Sequence, residues 1–255
     1  MRTEIHVGTL DELRSAVVGR LEAESAAAIA VRGRFAIALP GGSAALQLFP
    51  RLALAGVDWS RCDFFWSDER AVSVTDPESN YGLAKQLWLD PAVIPRTNVH
   101  RLPGELADLD AAAIAAEREL VACLGDPPRL DWLWLGVGED GHVASLFPGS
   151  PLLDERRRYV AAVLDSPKPP SGRLTLTLAA IAAARLVVVT ALGEAKAGAV
   201  TAALGEPASR LPLALALAAA DRSCLLLDPG AARDLPAAPG GSSSQQPGES
   251  EARRS

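Results

Sequence analysis

Four short apolar runs in this chain each lead directly into a glycine-rich or charged turn. The turns read PGGS, SDER, EDGH and GEAK, and they begin at Pro40, Ser67, Glu139 and Gly193. Segments with the apolar spacing of helices separate the runs. Strands joined by helical crossovers pair in parallel, so their carboxyl ends lie along one edge of the sheet. We therefore expect the four turns to meet at that edge, where sheets of this class bind ligands.

The rest of the chain continues this alternation. Thr9 and Glu12 have the spacing of a capping box, which predicts a first helix over residues 10–30. Apolar runs predict strands over residues 35–39, 61–66, 130–138, 185–192 and 223–228, with weaker strand patterns at 158–164 and 173–179. Five further helices are predicted, two of them after residues 43 and 193 and the others over residues 81–89, 109–124 and 211–220. Pro50 is expected to kink or end the helix that follows residue 43.

The pattern predicts one domain. A chain of 255 residues with 49% hydrophobic composition could form one large domain or two small ones, but the alternation runs throughout. We predict a single Rossmann-like α/β domain over residues 1–235, with a mostly parallel central sheet flanked by helices on both faces. Residues 236–255 are rich in Gly, Ser and Pro without apolar periodicity, which predicts a disordered tail.

The charge balance excludes some partners. A net charge of −6 argues against a general nucleic-acid binder or a protein that binds anionic membranes. An anionic small molecule would need a local cluster of cations. Lysine is scarce, so each lysine is a candidate for such a cluster: Lys85, Lys168 and Lys196.

Cysteine and histidine usage predicts a cytoplasmic protein without a bound metal. Three widely spaced cysteines lie among apolar residues, as free thiols do in a reducing compartment: Cys62, Cys123 and Cys224. The three histidines lie far apart in sequence, without metal-ligand spacing: His6, His100 and His142. No signal peptide and no run long enough to span a bilayer is evident, so the cytoplasm is the expected location.

The first two turns offer groups for an oxyanion. Gly41, Gly42 and Ser43 let the backbone approach a phosphate, and Ser43 is placed to cap the next helix. The alternative is an ordinary strand-to-helix turn, and neither the Walker nor the dinucleotide glycine pattern is present, so ATP and NAD lack support. In the second turn Arg70 offers a planar fork for phosphate, while Asp68 could bind a sugar hydroxyl or orient a base. The alternative there is a solvated charge cluster.

The third turn contains His142. Three interpretations compete: a catalytic base, a metal ligand, or a histidine that satisfies the turn. An ordinary pKa of about 6.5 lets imidazole accept and return a proton near neutrality. Asp140 could instead be the base. Lys196 in the fourth turn, with Lys168 and Arg173 in the segment SPKPPSGR, supplies cations for an anion, although each could be a surface cation.

Together these motifs resemble the glucosamine-6-phosphate isomerase/6-phosphogluconolactonase family, on its lactonase branch. The matching segments run from Ala36 to about Asp228: ALPGGSAALQLFPRLA, DFFWSDERAVSVTDPESNYGLAKQLWL, LGVGEDGHVASLFPGSP, SPKPPSGRLTLTLAAI and ARLVVVTALGEAKAGAV. The resemblance implies hydrolysis of 6-phospho-D-glucono-1,5-lactone to 6-phosphogluconate, in the pentose phosphate pathway, without metal or cofactor.

The resemblance also implies the site residues. His142 would be the general base that activates water, with Asp68 as a second catalytic residue. The implied substrate-binding residues are Gly41, Gly42, Ser43, Arg70, Asn80, Asp140, Lys168, Arg173 and Lys196. The expected partner is a phosphosugar lactone, with no nucleic acid and no membrane, and the expected assembly is a monomer or a weak homodimer.

Two other functions remain open at this stage. A glucosamine-6-phosphate deaminase/isomerase shares the architecture, but Phe147 stands where that branch has a proton-relaying glutamate. A non-catalytic phosphosugar sensor would bind the product without accelerating hydrolysis, and such regulators carry a DNA-binding segment that is not visible here.

Overall fold

The computed structural model of the protein describes residues 2–206 and 208–236. Its strands are β1 (Arg2–Val7), β2 (Phe35–Leu39), β3 (Cys62–Trp66), β4 (Asp68–Arg70), β5 (Trp132–Gly136), β6 (Val160–Val163), β7 (Arg173–Leu176), β8 (Val187–Ala191) and β9 (Arg222–Leu227). Its α-helices are α1 (Leu10–Arg32), α2 (Gly42–Leu52), α3 (Asn80–Ala84), α4 (Leu109–Leu124), α5 (Leu178–Ala183), α6 (Ala197–Gly205), α7 (Pro212–Ala219) and α8 (Pro229–Ala232). A π-helical segment, Lys85–Leu89, continues α3, and 3-10 turns lie at Trp59–Arg61, Arg96–Asn98, Pro151–Asp154 and Glu194–Lys196.

Six strands form a parallel sheet in the order β1-β9-β8-β5-β2-β3. The chain moves in one direction across the sheet from β1 to β3 and returns from β5 to β9. Right-handed crossovers then place α1 and α2 on one face and α5, α6 and α7 on the other. Contacts agree, since α1 packs on α2 while α7 packs on both α5 and α6. The predicted α/β fold with a mostly parallel sheet is confirmed.

The turn of direction falls between β2 and β5, which are neighbours in the sheet. The chain leaves β2 toward β3 and leaves β5 toward β8, on the opposite side. The two connections therefore diverge and leave a crevice at the carboxyl ends of both strands. Such a switch point is where open α/β sheets bind ligands.

A second, smaller sheet includes residues that were predicted to form the second turn. Strands β4, β7 and β6 pair antiparallel, with Asp68 opposite Thr175 and Arg70 opposite Arg173. The prediction of a turn at Asp68–Arg70 was therefore wrong. Three consecutive polar residues show no strand periodicity in the sequence. They are extended in the structure because their backbone pairs with β7. Because alternate residues of a strand share a face, Asp68, Arg70, Arg173 and Thr175 lie on the same side of this sheet.

Several local predictions need correction. Strand β1, at the edge of the large sheet, and the short helix α8 were not predicted. Pro50 does not end its helix at once, because it lies in the last turn of α2 and the helix continues to Leu52. The capping box at Thr9 and Glu12 is present and starts α1. The predicted tail lies outside the described residues except for residue 236, and the domain boundary stays a prediction.

An aromatic cluster supports the crevice from below. Phe49 of α2 lies 5.2 Å from Trp88 and 5.8 Å from Trp134 of β5, measured between ring centroids, and all three side chains are fully buried. Aromatic pairs of this kind add about 0.5–1.5 kcal/mol beyond the area they bury. The helix that begins at the first turn is thereby fixed against the central strand. None of the helices in the described ranges is long and apolar enough to cross a membrane.

Candidate active site

A cavity of about 190 Å³ opens at the switch point between β2 and β5. Nine of the eleven predicted site residues line it: Gly41, Gly42, Ser43, Asp68, Arg70, His142, Lys168, Arg173 and Lys196. The structure thus brings together residues from all four turns and from the segment around Lys168. Four of the lining side chains are cationic and one is a carboxylate, although the whole chain is acidic. The wall is therefore suited to an anionic ligand.

The first turn presents the start of α2 to the cavity. The helix begins at Gly42, and its N-cap, Gly41, makes no side-chain cap hydrogen bond. Ser43 lies inside the helix, so the prediction that Ser43 caps it was wrong. The first backbone N–H groups of α2 have no capping side chain, which leaves them free for an oxyanion. A methyl group on Gly41 would overlap the amide of Asn80, so this turn requires glycine there.

Asn80 lies behind the cavity and does not line it. Its side chain is 1% exposed, and Nδ2 donates to the Asp68 backbone oxygen at 2.9 Å and to Asp68 Oδ1 at 3.2 Å. The buried carboxylate of Glu69 accepts the backbone N–H groups of Asn80 and Tyr81, each at 2.8 Å. Burial raises the pKa of Glu69 against the lowering effect of these hydrogen bonds. These bonds fix the start of α3 against β4, and Asn80 thereby orients Asp68.

Asp68 is held on both oxygens. Its second oxygen, Oδ2, accepts a hydrogen bond of 2.7 Å from Ser145 Oγ and lies 3.9 Å from Arg173 Nη1. The residue is only 6% exposed. These contacts hold Asp68 on the β4 side of the site. The carboxylate that contacts the imidazole of His142 is a different one, Asp140, in the same turn as the histidine.

The turn that contains His142 is closed by its own backbone. Two backbone hydrogen bonds close that turn, from Gly138 N to His142 O at 2.9 Å and from Gly141 N to Gly138 O at 3.0 Å. The side chain instead places Nδ1 2.5 Å from Asp140 Oδ1. A methyl group on Gly138 would overlap Nδ1, so the close approach of the ring requires glycine there as well. Asp140 does not line the cavity; its contact is with the ring that does.

The surroundings of His142 favour the neutral ring. Its pKa lies below the ordinary value because burial disfavours the charged form and because Lys168 adds a positive charge, although Asp140 acts in the opposite sense. Lys168 Nζ lies 3.3 Å from Asp140 Oδ1 and 3.5 Å from His142 Nδ1. Burial raises the pKa of Asp140, but the hydrogen bonds and charge of His142 and the charge of Lys168 together outweigh burial, so this pKa lies below its usual value. A carboxylate at Nδ1 favours the tautomer with the proton there, which leaves the Nε2 lone pair free.

Two guanidinium groups lie on adjacent strands of the small sheet. Arg70 of β4 is directly opposite Arg173 of β7, and Arg70 Nη1 donates to the Glu78 backbone oxygen at 2.7 Å. The pKa of Arg173 is lowered by burial, and the charge of Arg70 lowers it further. Lys196, at the other side of the cavity, lies 3.8 Å from Glu139. Cationic side chains that line one cavity are suited to a shared anion.

Comparison with known proteins identifies the family. The family model for glucosamine-6-phosphate isomerases/6-phosphogluconolactonase matches residues 8–225. The chain belongs to this family. It is 42% identical over 227 residues to the 6-phosphogluconolactonase of Mycobacterium leprae, covering 85% of this chain and 92% of that protein. It is 40% identical over 232 residues to the human 6-phosphogluconolactonase, covering 88% and 90%.

Members of the family with solved structures share the fold. The 6-phosphogluconolactonase of Trypanosoma brucei superposes with a TM-score of 0.81 at 28% identity, covering 92% of this chain and 99% of that one. A monomeric glucosamine-6-phosphate deaminase superposes with a TM-score of 0.76 at 21% identity, covering 91% and 99%. At that identity the second match shows the fold alone. The fold therefore does not distinguish lactonases from deaminases. That distinction depends on the side chains of the site.

Some residues at this family member's site were not among the eleven predicted site residues. Ser145 is fully buried against Asp68, and Phe147 lies 4.7 Å from the imidazole of His142 and 5.7 Å from the guanidinium carbon of Arg173. Both residues lie in the segment LGVGEDGHVASLFPGSP, so their closeness to His142 in the sequence could have indicated them. Ser67 and Thr190 also line the cavity because each lies at or just beyond the carboxyl end of a strand.

Proposed function

We propose that this chain hydrolyses 6-phospho-D-glucono-1,5-lactone to 6-phosphogluconate, as the names of its relatives suggest. The observation that carries the proposal is one cavity lined by four cationic side chains and by His142, whose Nδ1 contacts Asp140. A lactone with a phosphate at its far end needs both features. Some of the cations bind the charged end, and the imidazole acts at the ester.

Lys168 lies where the reacting end of the substrate would bind, because its ammonium is next to His142 and Asp140. Arg70, Lys196 and the free N–H groups at the start of α2 then remain for the phosphate. Binding the unreactive end fixes the ester carbon beside the imidazole, so binding energy is used to orient the reacting atoms.

His142 performs both proton transfers in this proposal. Its Nε2 removes a proton from water as the water oxygen adds to C1, and the imidazolium returns that proton to the ring oxygen as the C1–O bond breaks. Asp140 keeps the other ring proton on Nδ1 and stabilises the transient positive charge. General base and acid catalysis of this kind is worth about 10²–10⁴-fold. No covalent intermediate is needed.

The test is His142→Gln, which keeps a side chain of similar size but cannot take up the proton. We expect kcat to fall by about a hundredfold or more. Binding of 6-phosphogluconate should be retained, because the cations are untouched. Proton release from fresh lactone is measured against a blank without enzyme, since the lactone also hydrolyses spontaneously. Near-normal turnover by His142→Gln would reject the role of His142.

The same assays separate the other candidate functions. Ammonia release from glucosamine 6-phosphate would indicate the deaminase, and Phe147 argues against it because a phenyl ring cannot relay protons. Binding of 6-phosphogluconate without acceleration of hydrolysis would indicate a sensor. The cytoplasmic location, the absence of nucleic-acid partners, the monomer or weak homodimer, and activity without metal or cofactor stay predictions.

A further inference from the structure

The loop over residues 166–171, called the lysine loop here, is closed by its own hydrogen bonds. Ser166 N donates to the Ser171 backbone oxygen at 2.9 Å, which joins the two ends. Ser166 Oγ donates to the Lys168 backbone oxygen at 2.8 Å and accepts from Lys168 N at 3.2 Å. The loop therefore has a fixed shape around the backbone of Lys168.

The guanidinium of Arg173 holds the same loop. Nε donates to the Pro170 oxygen at 3.2 Å, and Nη2 donates to the oxygens of Pro169 at 3.0 Å and Lys168 at 3.2 Å. These bonds use three of the five N–H groups of the guanidinium. Arg173 is only 5% exposed. A guanidinium that donates to three consecutive carbonyl groups stabilises the loop, whether or not it also contacts a ligand.

The Lys168 side chain depends on this support. It is 43% exposed, and its ammonium reaches Asp140 and His142 across the rim of the cavity. A long, half-exposed side chain loses its preferred position easily if its backbone shifts, because it has many rotamers. The three carbonyl bonds hold the backbone from which the lysine side chain extends.

We propose that Arg173 is a positioning residue, whose guanidinium holds the lysine loop so that the Lys168 ammonium lies at the Asp140–His142 pair. This inference rests on the proposed function of that pair. It replaces the expectation that Arg173 serves mainly to bind the phosphate. Nη1, which lies 3.9 Å from Asp68 Oδ2, is the one nitrogen left outside the loop.

The imidazole itself reports whether Lys168 is in place. The groups that face His142 are Asp140, whose charge raises its pKa, Lys168, whose charge lowers it, the more distant Asp68, which raises it, and the uncharged ring of Phe147. The largest effects of charge on this pKa come from Asp140, Lys168 and Asp68. Displacing Lys168 should therefore raise the pKa of His142, even when the charge at position 173 is kept.

The experiment is a proton NMR titration of the histidine rings in the full-length, ligand-free enzyme. The chain has three histidines, and His142→Gln identifies the signal of His142. Lys168→Met should move its titration midpoint to higher pH. Arg173→Lys, which keeps the charge but loses the three-carbonyl fork, should move it in the same direction and should add nothing in the Lys168→Met background. Ser166→Ala loosens the loop from its other side and should give a smaller shift of the same sign.

Matched controls and kinetics complete the test. Arg118→Lys and Lys85→Met are the same changes outside the cavity, at an exposed arginine and a half-exposed lysine, and should leave the titration unaltered. Arg173→Lys should lower kcat by about tenfold with little change in KM, since the base and not the anchor is disturbed. A rise in KM alone, an unshifted His142 signal, or shifts that add in the double variant would overturn the positioning role. Because the titration needs no substrate, a failure here is distinguishable from an active His142→Gln enzyme, which would overturn the proposed function instead.

Discussion

Two histidines of this molecule have carboxylate partners, and their pKa values move in opposite directions. His142 bonds one carboxylate, Asp140, which it shares with Lys168, and burial lowers its pKa. His100 lies between two carboxylates, with Nδ1 2.7 Å from Glu119 and Nε2 3.5 Å from Asp63, and its ring stacks on Phe65. Its pKa is raised, by its hydrogen bonds to Asp63 and Glu119 against the effect of burial.

The difference shows how one side chain serves two purposes. Two carboxylates favour the charged form of the His100 ring, which links β3 to α4 through Asp63 and Glu119. A ring with one shared carboxylate beside a lysine is kept neutral with a free lone pair, as a general base requires. The residues next to each histidine in the sequence do not predict whether its pKa is raised or lowered.

The largest expected effect comes from removing the partner of His142. Asp140→Asn leaves Nδ1 without its carboxylate, so the tautomer and the charged intermediate both lose support. We expect kcat to fall by about a hundredfold, and the acidic limb of the pH–rate profile to move to lower pH because Asp140 raises the pKa of His142. Glu139→Gln, at the neighbouring and more exposed acid, is the control. Equal losses in both variants would contradict the pairing.

A smaller effect is expected on stability, with opposite signs for the two histidines. The folded pKa of His100 exceeds its unfolded value of about 6.5, so its contribution is full below that pH and is lost as the pH rises through the folded pKa. His142 has the lower folded pKa, so it costs stability as the pH falls from about 6.5 through that value.

Urea unfolding of variants between pH 5 and 8 measures these slopes, the range being set by the ordinary histidine pKa of about 6.5. His100→Gln should remove the loss of stability toward high pH and leave turnover intact. His142→Gln should remove the loss toward low pH and lower kcat by about a hundredfold or more, as above. Identical pH slopes in wild type and both variants would show that the two environments do not differ as described.

The smallest effect is expected at Glu119, whose side chain is half exposed. Glu119→Gln removes one of the two charges that face His100, and partly exposed pairs are worth about 0.2–1 kcal/mol. The stability difference between low and high pH should shrink without disappearing, because Asp63 remains. Complete loss of the difference in Glu119→Gln would mean that Asp63, at 3.5 Å, contributes nothing.

Much of the site could be predicted because it lies on regular elements. Apolar runs give the central strands, parallel pairing gives their shared edge, and each turn after a strand then supplies residues such as Gly41, His142 and Lys196. The large sheet, the cavity and its cations follow from these local patterns.

The other contacts depend on which residues meet across the fold. Ser145 bonds Asp68 although 77 positions separate them, and no local pattern states that distance. Asn80 has the polarity of a surface residue, yet burial against Gly41 and Asp68 turns it into a support. Arg173 was predicted as a ligand for phosphate because of its charge, whereas three of its N–H groups are bonded to neighbouring carbonyls.

The uncapped start of α2, which lines the same cavity as Arg70 and Lys196, makes the resistance of this enzyme to heat depend on its ligand. Backbone N–H groups without a partner and two positive side chains are stabilised when a phosphate binds between them. Since a ligand that binds only the native state raises the melting temperature with its concentration, the supply of phosphorylated sugar acids would govern how long each molecule survives.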